Sequence, residues 1–452
     1  TYVGEADVYA KRFDGNGNMT WTAPLELAVT NGNQSGVRMA ALTGGDFMFT
    51  WVDNRDNEPD IYAQLVNISG TTLWSDPYIV YGDAGSATPA QQLNPRIQGT
   101  SDNGAVIVWE DFRLDSQNAD LFAQKVSAAG NKLWGDAGIA VATAEFAQIG
   151  QRMASDGNGG VYIVWDDLRN GNSPNDDIYA QHLNSNGEAL WTAGGKSICS
   201  MPFEQNGGLI KVSGDDIFVN WMDLRNGSVG IYYQVLNAAG VTQLADNGVQ
   251  VFWGLSGDTP KGEYQILPRS NDLLIIWQDT RFANDGNRIF YQIVDTNGNP
   301  MFAEDGIPVT LQGGGKQESA KAVVTPDDQF AIVWVDGRDG NPNIYAQLFN
   351  PAGERLWGDN GVKLTDDEPL SQSDPKISYF NDSFYIGWSN WDEYNGNYFY
   401  HVYGQRIQNG NKLWGDNGVM VSSLESTQMN NECRLYSLID DMYVWHRVHP
   451  SG

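Results

Sequence analysis

Eight times along the chain a short apolar run ends in tryptophan, at Trp51, Trp109, Trp165, Trp221, Trp277, Trp334, Trp388 and Trp445. Runs this short, rich in β-branched and aromatic residues and bounded by glycine and asparagine, predict buried strands rather than helices. A second apolar segment follows each run with the pattern [I/L/V]-[Y/F]-x-Q: Ile61–Gln64, Leu121–Gln124, Ile178–Gln181, Ile231–Gln234, Ile289–Gln292, Ile344–Gln347 and Val402–Gln405. Next come a glycine turn with a Leu-Trp pair (Gly130–Trp134, Gly353–Trp357, Gly410–Trp414) and a G-[I/V]-x-[V/L] strand (Gly138–Val141, Gly361–Leu364). The unit recurs every 56 residues or so, and for its first full copy the strands are expected near Val37–Leu42, Phe47–Val52, Ile61–Val66 and Thr72–Val80.

Tight Gly, Asn and Asp joints between strands one and two, and between three and four, read as hairpins. A four-stranded meander of this size cannot bury both faces alone, so successive copies must stack face to face. The N-terminus supplies strands three and four (Asp7–Ala10, Trp21–Val29), and the C-terminus supplies strands one and two (Leu435–Leu438, Met442–Trp445). The expectation is a single all-β domain over residues 1–452: an eight-bladed β-propeller of four-stranded antiparallel blades. The N-terminal strands three and four join the C-terminal strands one and two to close it, leaving no open sheet edge.

In such a meander the short one–two and three–four hairpins share one face, and the two–three loops and four–one connectors share the other. The Trp-to-Gln spacing across the two–three loop varies, from Trp51–Gln64 to the longer Trp388–Gln405. Variable loops on a rigid scaffold are where binding residues concentrate.

Composition then narrows the partners. Acidic residues outnumber basic ones 56 to 27, for a formal net charge of −29. A surface of that sign disfavours nucleic acid and anionic lipid, and no apolar stretch is long enough for a membrane-spanning helix. That charge suits a solvated surface, or alternatively Ca²⁺, for which Asp53/Asp56/Glu58/Asp60 and Asn175/Asp176/Asp177 offer oxygen ligands, although no EF-hand spacing occurs. The two cysteines, Cys199 and Cys433, lie about four repeats apart, half a turn of an eight-unit wheel, so they are expected not to be bonded to each other.

Four sets of residues are candidates for chemistry. W-x-D-x-R recurs as Asp53/Arg55, Asp111/Arg113, Asp167/Arg169, Asp223/Arg225, Asp279/Arg281 and Asp336/Arg338. Six near-identical copies fit a structural pin better than a catalytic site, which is needed once. Gln34, Gln92, Gln148, Gln205, Gln317, Gln372 and Gln428 each precede their tryptophan by 16 or 17 residues. They read either as amides bonding the neighbouring connector or as a polar rim at the channel mouth. The seventh copy loses its arginine and gains aromatics, and Trp391, Asp392, Tyr394, Tyr398, Tyr400 and His401 form the leading ligand-binding candidate, with Trp253 a secondary one. Flat rings beside acidic groups suit sugar stacking or a protein hot spot, and the alternative is that they pack on one another. No H-E-x-x-H or G-x-S-x-G motif is present, and no catalytic residue is assigned.

The repeat W-x-D-x-R…[DN]-I-Y-A-Q-x-[LV]-[ND]-x-x-G-x-x-L-W-x-x-x-G-[IV] resembles the propeller modules of large secreted bacterial surface proteins, many of which carry a type IX sorting domain. The resemblance implies an exported or cell-surface protein with glycan or surface and secretion-machinery protein partners, and implies no reaction. The segment Ala63…Gly70…Trp74 is also similar to the docking motif of eight-bladed quinone-dependent dehydrogenases, but Leu65 stands where that motif has Asp and no adjacent cysteine pair is present. The expected function is non-catalytic recognition or adhesion through the variable loop face, without a cofactor other than Ca²⁺. A structural or passive cargo role and a carbohydrate-active lyase or hydrolase are the alternatives.

Overall fold

A computed structural model describes residues 6–12, 14, 18–56, 58–82, 90–171, 175–227, 229–252, 264–279, 286–303, 306–312, 315–365, 371–394, 397–421, 432–439 and 442–448. The described secondary structure is all β, in antiparallel sheets whose strands follow sequence order except where the two chain ends pair. We number the sheets along the chain. Sheet 1 runs Gln34–Ala41, Phe47–Asp53, Asp60–Val66 and Tyr78–Tyr81, and sheets 2 to 7 repeat it, with a fifth short strand on sheet 7. In the terminal sheet, Ala6–Arg12 from the N-terminus pairs with Met442–Val448 from the C-terminus, setting Tyr9 opposite Trp445. The pairing of front and back strands expected from the sequence is present in the ladder.

The chain divides into two compact units, Ala28–Trp253 with sheets 1 to 4, and Thr1–Leu27 with Gly254–Gly452, which holds sheets 5 to 7 and the terminal sheet. Within each unit the core lies between consecutive sheets. Met48, Leu65 and Val80 of sheet 1 meet Ile107, Trp109 and Val126 of sheet 2, and Leu274, Ile276 and Tyr291 of sheet 5 meet Ile332, Trp334 and Phe349 of sheet 6. The indoles of the Leu-Trp pairs also bridge sheets: Trp74, Trp134 and Trp191 donate Nε1–H to the carbonyls of Ala128, Ser185 and Ala238 in the next sheet's turn. This contact accounts for a difference from the expected strand limits. The fourth strand of sheet 1 is not continuous from Thr72: a lone bridge joins Val66 to Thr72, and pairing resumes only at Tyr78, because the chain turns to insert Trp74.

The W-x-D-x-R residues form one local clamp per sheet. Trp165 donates its indole N–H to Asp167 at 2.7 Å, and Asp167 also accepts the Arg169 backbone N–H and two guanidinium hydrogen bonds. The Arg169 guanidinium lies 3.9 Å above the Tyr179 ring, and Tyr179 stacks on Trp165. The same indole-to-Asp, backbone-to-Asp and Arg-to-Asp bonds recur at Asp53, Asp111, Asp223 and Asp336. Asp279 accepts the Trp277 indole, and Arg281 lies outside the described residues. Five of these tryptophans, Trp51, Trp109, Trp165, Trp221 and Trp334, are fully buried. Opposite Trp165 the chain needs glycine: Gly195 has φ +103, and a Cβ there would sit 2.4 Å from the indole.

Carboxylates also link neighbouring sheets. Asp166 on the second strand of sheet 3 accepts the backbone N–H of Gly207 (3.1 Å) and Gly208 (3.2 Å), where the first strand of sheet 4 bulges. Burial pushes its carboxyl up to about 7, against the pull of those two hydrogen bonds. Cys199 is a free, buried thiol that hydrogen-bonds within the Asp223/Arg225 clamp.

Two predictions follow from the clamp and the linkage. Asp167→Ala strips the acceptor from an indole and a guanidinium at once and is expected to cost about 3 kcal/mol in urea unfolding; a loss under about 0.5 kcal/mol contradicts the clamp. Because the folded carboxyl of Asp166 titrates above its unfolded value of 3.8, it favours the folded state at acid pH and withdraws that contribution as pH rises towards about 7. Asp166→Asn is therefore expected to gain stability relative to wild type between pH 5 and pH 8, and an equal difference at both pH values contradicts the assignment.

Candidate functional site

The seventh-sheet aromatics do not form the loop expected from the sequence. Strands Ser383–Tyr394 and Asn397–Gln408 stay paired beyond the usual limit, with Trp391 opposite Tyr400, Asp392 opposite Phe399 and Tyr394 opposite Asn397. Alternating aromatic and polar residues favour cross-strand pairing, and here they extend the hairpin. Its register places Trp391, Tyr398 and Tyr400 at one alternation, and Asp392, Tyr394 and His401 at the other. Trp253 and Gln428 lie outside the described residues.

The glutamine series opens the first strands and is buried. Gln34, Gln92, Gln148 and Gln205 have no exposed surface, and Gln317 and Gln372 have 2% and 4%. Gln34 donates to the Gly32 carbonyl, Gln148 to Ala144 and Phe146, Gln205 to Phe203, and Gln317 to Asp336. Their amides thus tie the connector to the strand and leave almost no side-chain surface for a ligand.

On the loop face of the Ala28–Trp253 unit, a cleft of about 390 Å³ lies between the two–three loops of sheets 1 and 2 and the connector joining them. Glu58, Gln91, Phe112, Arg113 and Leu114 line it. Arg113 is committed to Asp111 and the Ala137 carbonyl, which leaves Leu114 as the exposed apolar group. Among the described residues no group of three or more His, Cys, Asp or Glu side chains is placed to hold a metal ion.

The most distinctive grouping lies on the first strands, four residues beyond the glutamines, at positions the sequence reading did not single out. Each first strand is the edge of its sheet, and those of sheets 1 to 3, Gln34–Ala41, Gln92–Gly99 and Gln148–Ser155, run side by side. At one register position, opposite the residue before the buried tryptophan, stand Arg38 (opposite Thr50), Arg96 (Val108) and Arg152 (Val164). All three are half-buried. Arg38 donates to the Val37 carbonyl, and Arg152 to those of Gly150 and Gln151. Arg96 Nε is buried without a hydrogen-bond partner. Burial, then the charges of Arg152 and Arg38, push the Arg96 guanidinium down to about 9, against the opposing pull of Glu110.

Glu110 supplies the counter-charge and joins the strands. Its Oε2 accepts Asn94 Nδ2–H at 2.7 Å, and its Oε1 accepts the Gly150 N–H at 3.1 Å. Gln151 donates to the Asn94 carbonyl at 2.7 Å, a second tie between the same two strands. Burial raises the Glu110 carboxyl, while those hydrogen bonds and the two nearest arginines lower it. Sheet 4 breaks the series with Leu209, though Lys211 is exposed two residues on. In the other unit Lys321 and Lys376 hold the same register, and burial followed by the Lys376 charge pushes Lys321 down to about 8. The signal was present in the sequence as Gln-x-x-x-[Arg/Lys], at Gln34/Arg38, Gln92/Arg96, Gln148/Arg152, Gln317/Lys321 and Gln372/Lys376.

No family model matches the chain, and no curated protein matches it. Among solved structures it is similar to the polysaccharide lyase Uly1 (8% identity, TM-score 0.48, 99% of this chain and 100% of that one). It is also similar to an ulvan lyase bound to -[GlcA(1-4)Rha3S]- (10%, 0.43, 93% and 96%). A third is the α-L-arabinofuranosidase Arb93A of Fusarium graminearum (9%, 0.38, 77% and 98%).

Proposed function

We propose that the chain is an eight-bladed propeller, closed through its terminal sheet, that recognises glycan at the cell surface or outside the cell. The observation that carries the reading is the row of neighbouring first strands, which bears half-buried, hydrogen-bonding side chains such as Arg38, Asn206 and Arg152. Sugars offer closely spaced hydroxyls, and such a surface meets them with fixed donors and acceptors at small ordering cost. The terminal sheet, built from both chain ends, supports the closed form.

Turnover of the bound glycan, by elimination or hydrolysis, is the second reading. It is favoured by Lys321, an amine that burial and a neighbouring lysine bring to about 8, where a side chain can accept a proton near neutral pH. Titration of the full chain against neutral and acidic polysaccharides is expected to show saturable binding to at least one class. Silence across the panel contradicts the glycan reading, and new reducing ends or an unsaturated ultraviolet-absorbing product would place the chain among the enzymes.

A further inference from the structure

Resting on the glycan reading above, we propose that Arg38, Arg96 and Arg152 form the recognition site for an acidic glycan, a chain bearing carboxylate or sulfate groups. Three guanidinium groups occupy the same register on three adjacent edge strands, and the first strands carry them on the side of the sheets that no further strand of their own sheet covers. Like charges brought together at half-buried positions repel, and their effect is visible at Arg96, which is held below its ordinary range by burial and by both neighbours. Packing apolar residues of similar volume at these positions would cost less, as Leu209 does at the matching position of sheet 4.

The charge balance at the site points the same way. Glu110 faces Arg96 and Arg152, and Asp166 faces Arg152; the oxygens of both already accept hydrogen bonds, from Asn94 and Gly150 and from Gly207 and Gly208. Three cations against two committed carboxylates, one of them raised to about 7 by burial, leave a local positive excess in a chain of formal net charge −29. Arg96 Nε, buried and without a partner, adds an unmet donor inside the cluster. Guanidinium groups match planar carboxylates and sulfates through paired N–H donors, which a neutral sugar hydroxyl cannot satisfy.

A row across three strands, instead of one closed pocket, fits a polymer whose negative groups repeat along its length. Nucleic acid also carries repeating charge, but its non-specific recognition uses broad basic surfaces with aromatic stacking platforms. Here the positive group is three arginines in a chain of formal net charge −29. A thin glycan strand with charges at sugar intervals makes the better match.

Glu110 has a distinct part as a positioning residue. It ties the bulged segment of sheet 3 to Asn94 of sheet 2, and so fixes the spacing of the two strands that carry Arg96 and Arg152. Its charge opposes anion binding while its hydrogen bonds support the geometry, and these two effects are separable by substitution.

The test is binding of the full chain to matched pairs, dextran sulfate against dextran and polygalacturonate against its methyl ester, with duplex DNA as a third probe. Wild type is expected to bind the charged member of a pair, more weakly as salt rises, and Arg96→Gln is expected to weaken that binding about tenfold. Glu110→Gln keeps a hydrogen-bonding side chain and removes the opposing charge, so it is expected to bind as tightly as wild type or tighter. Equal binding of charged and uncharged partners, or unchanged affinity in Arg96→Gln, overturns the inference and leaves the glycan reading standing. Failure to bind any glycan removes both, and tighter binding of DNA assigns the cluster to nucleic acid instead. Should Arg96→Gln fail to fold, Arg152→Gln and the salt dependence of wild type carry the same decision.

Discussion

Five of the sheets each depend on one buried aspartate that satisfies three hydrogen-bonding groups at once. In Asp167 and its equivalents, one carboxylate takes the indole N–H of the core tryptophan, the backbone N–H that starts the next loop, and the guanidinium of the loop arginine. The arginine then covers an aromatic ring that itself stacks on the tryptophan. Removing water from an indole, a carboxylate and a guanidinium is costly, and only this mutual satisfaction makes their burial tolerable. The repeat keeps Trp, Asp and Arg at fixed spacing because the three act as one unit.

A pinned loop end has consequences for the edge strand. Gln34, Gln92, Gln148, Gln205 and Gln317 each stand directly opposite the clamp aspartate of their own sheet. Connector, first strand and clamp are therefore fixed against each other, and the residue four positions after the glutamine arrives at a constant height on its sheet. Where that residue is arginine in three neighbouring sheets, the scaffold gathers positive charge that the sequence as a whole lacks. The Glu110 bridge adds the sideways spacing between two of those strands.

Much of the architecture was legible in the repeat, since tryptophan period, glycine turns and the split strands at the two chain ends each leave a local pattern. The structural part of W-x-D-x-R was legible for the same reason, because six copies of a motif describe a scaffold. The site was harder to read. The seventh-sheet aromatics drew attention as a departure from the repeat, yet pairing of Trp391 with Tyr400 lengthens a hairpin where a loop was expected. The arginines escaped notice because they follow the repeat, and a strongly acidic composition directs attention away from a local basic cluster. For the glutamines the sequence left two readings, connector bonding or a polar rim, and the buried amides bonded to connector carbonyls agree with the first.

Hydrogen exchange of the full chain, with and without a sulfated oligosaccharide, tests most directly whether ligand lies on the arginine-bearing edge strands. Slower exchange confined mainly to residues 34–41, 92–99 and 148–155 is the result predicted by this account. Protection that appears instead on the three–four turns, or on no segment at all, would contradict it.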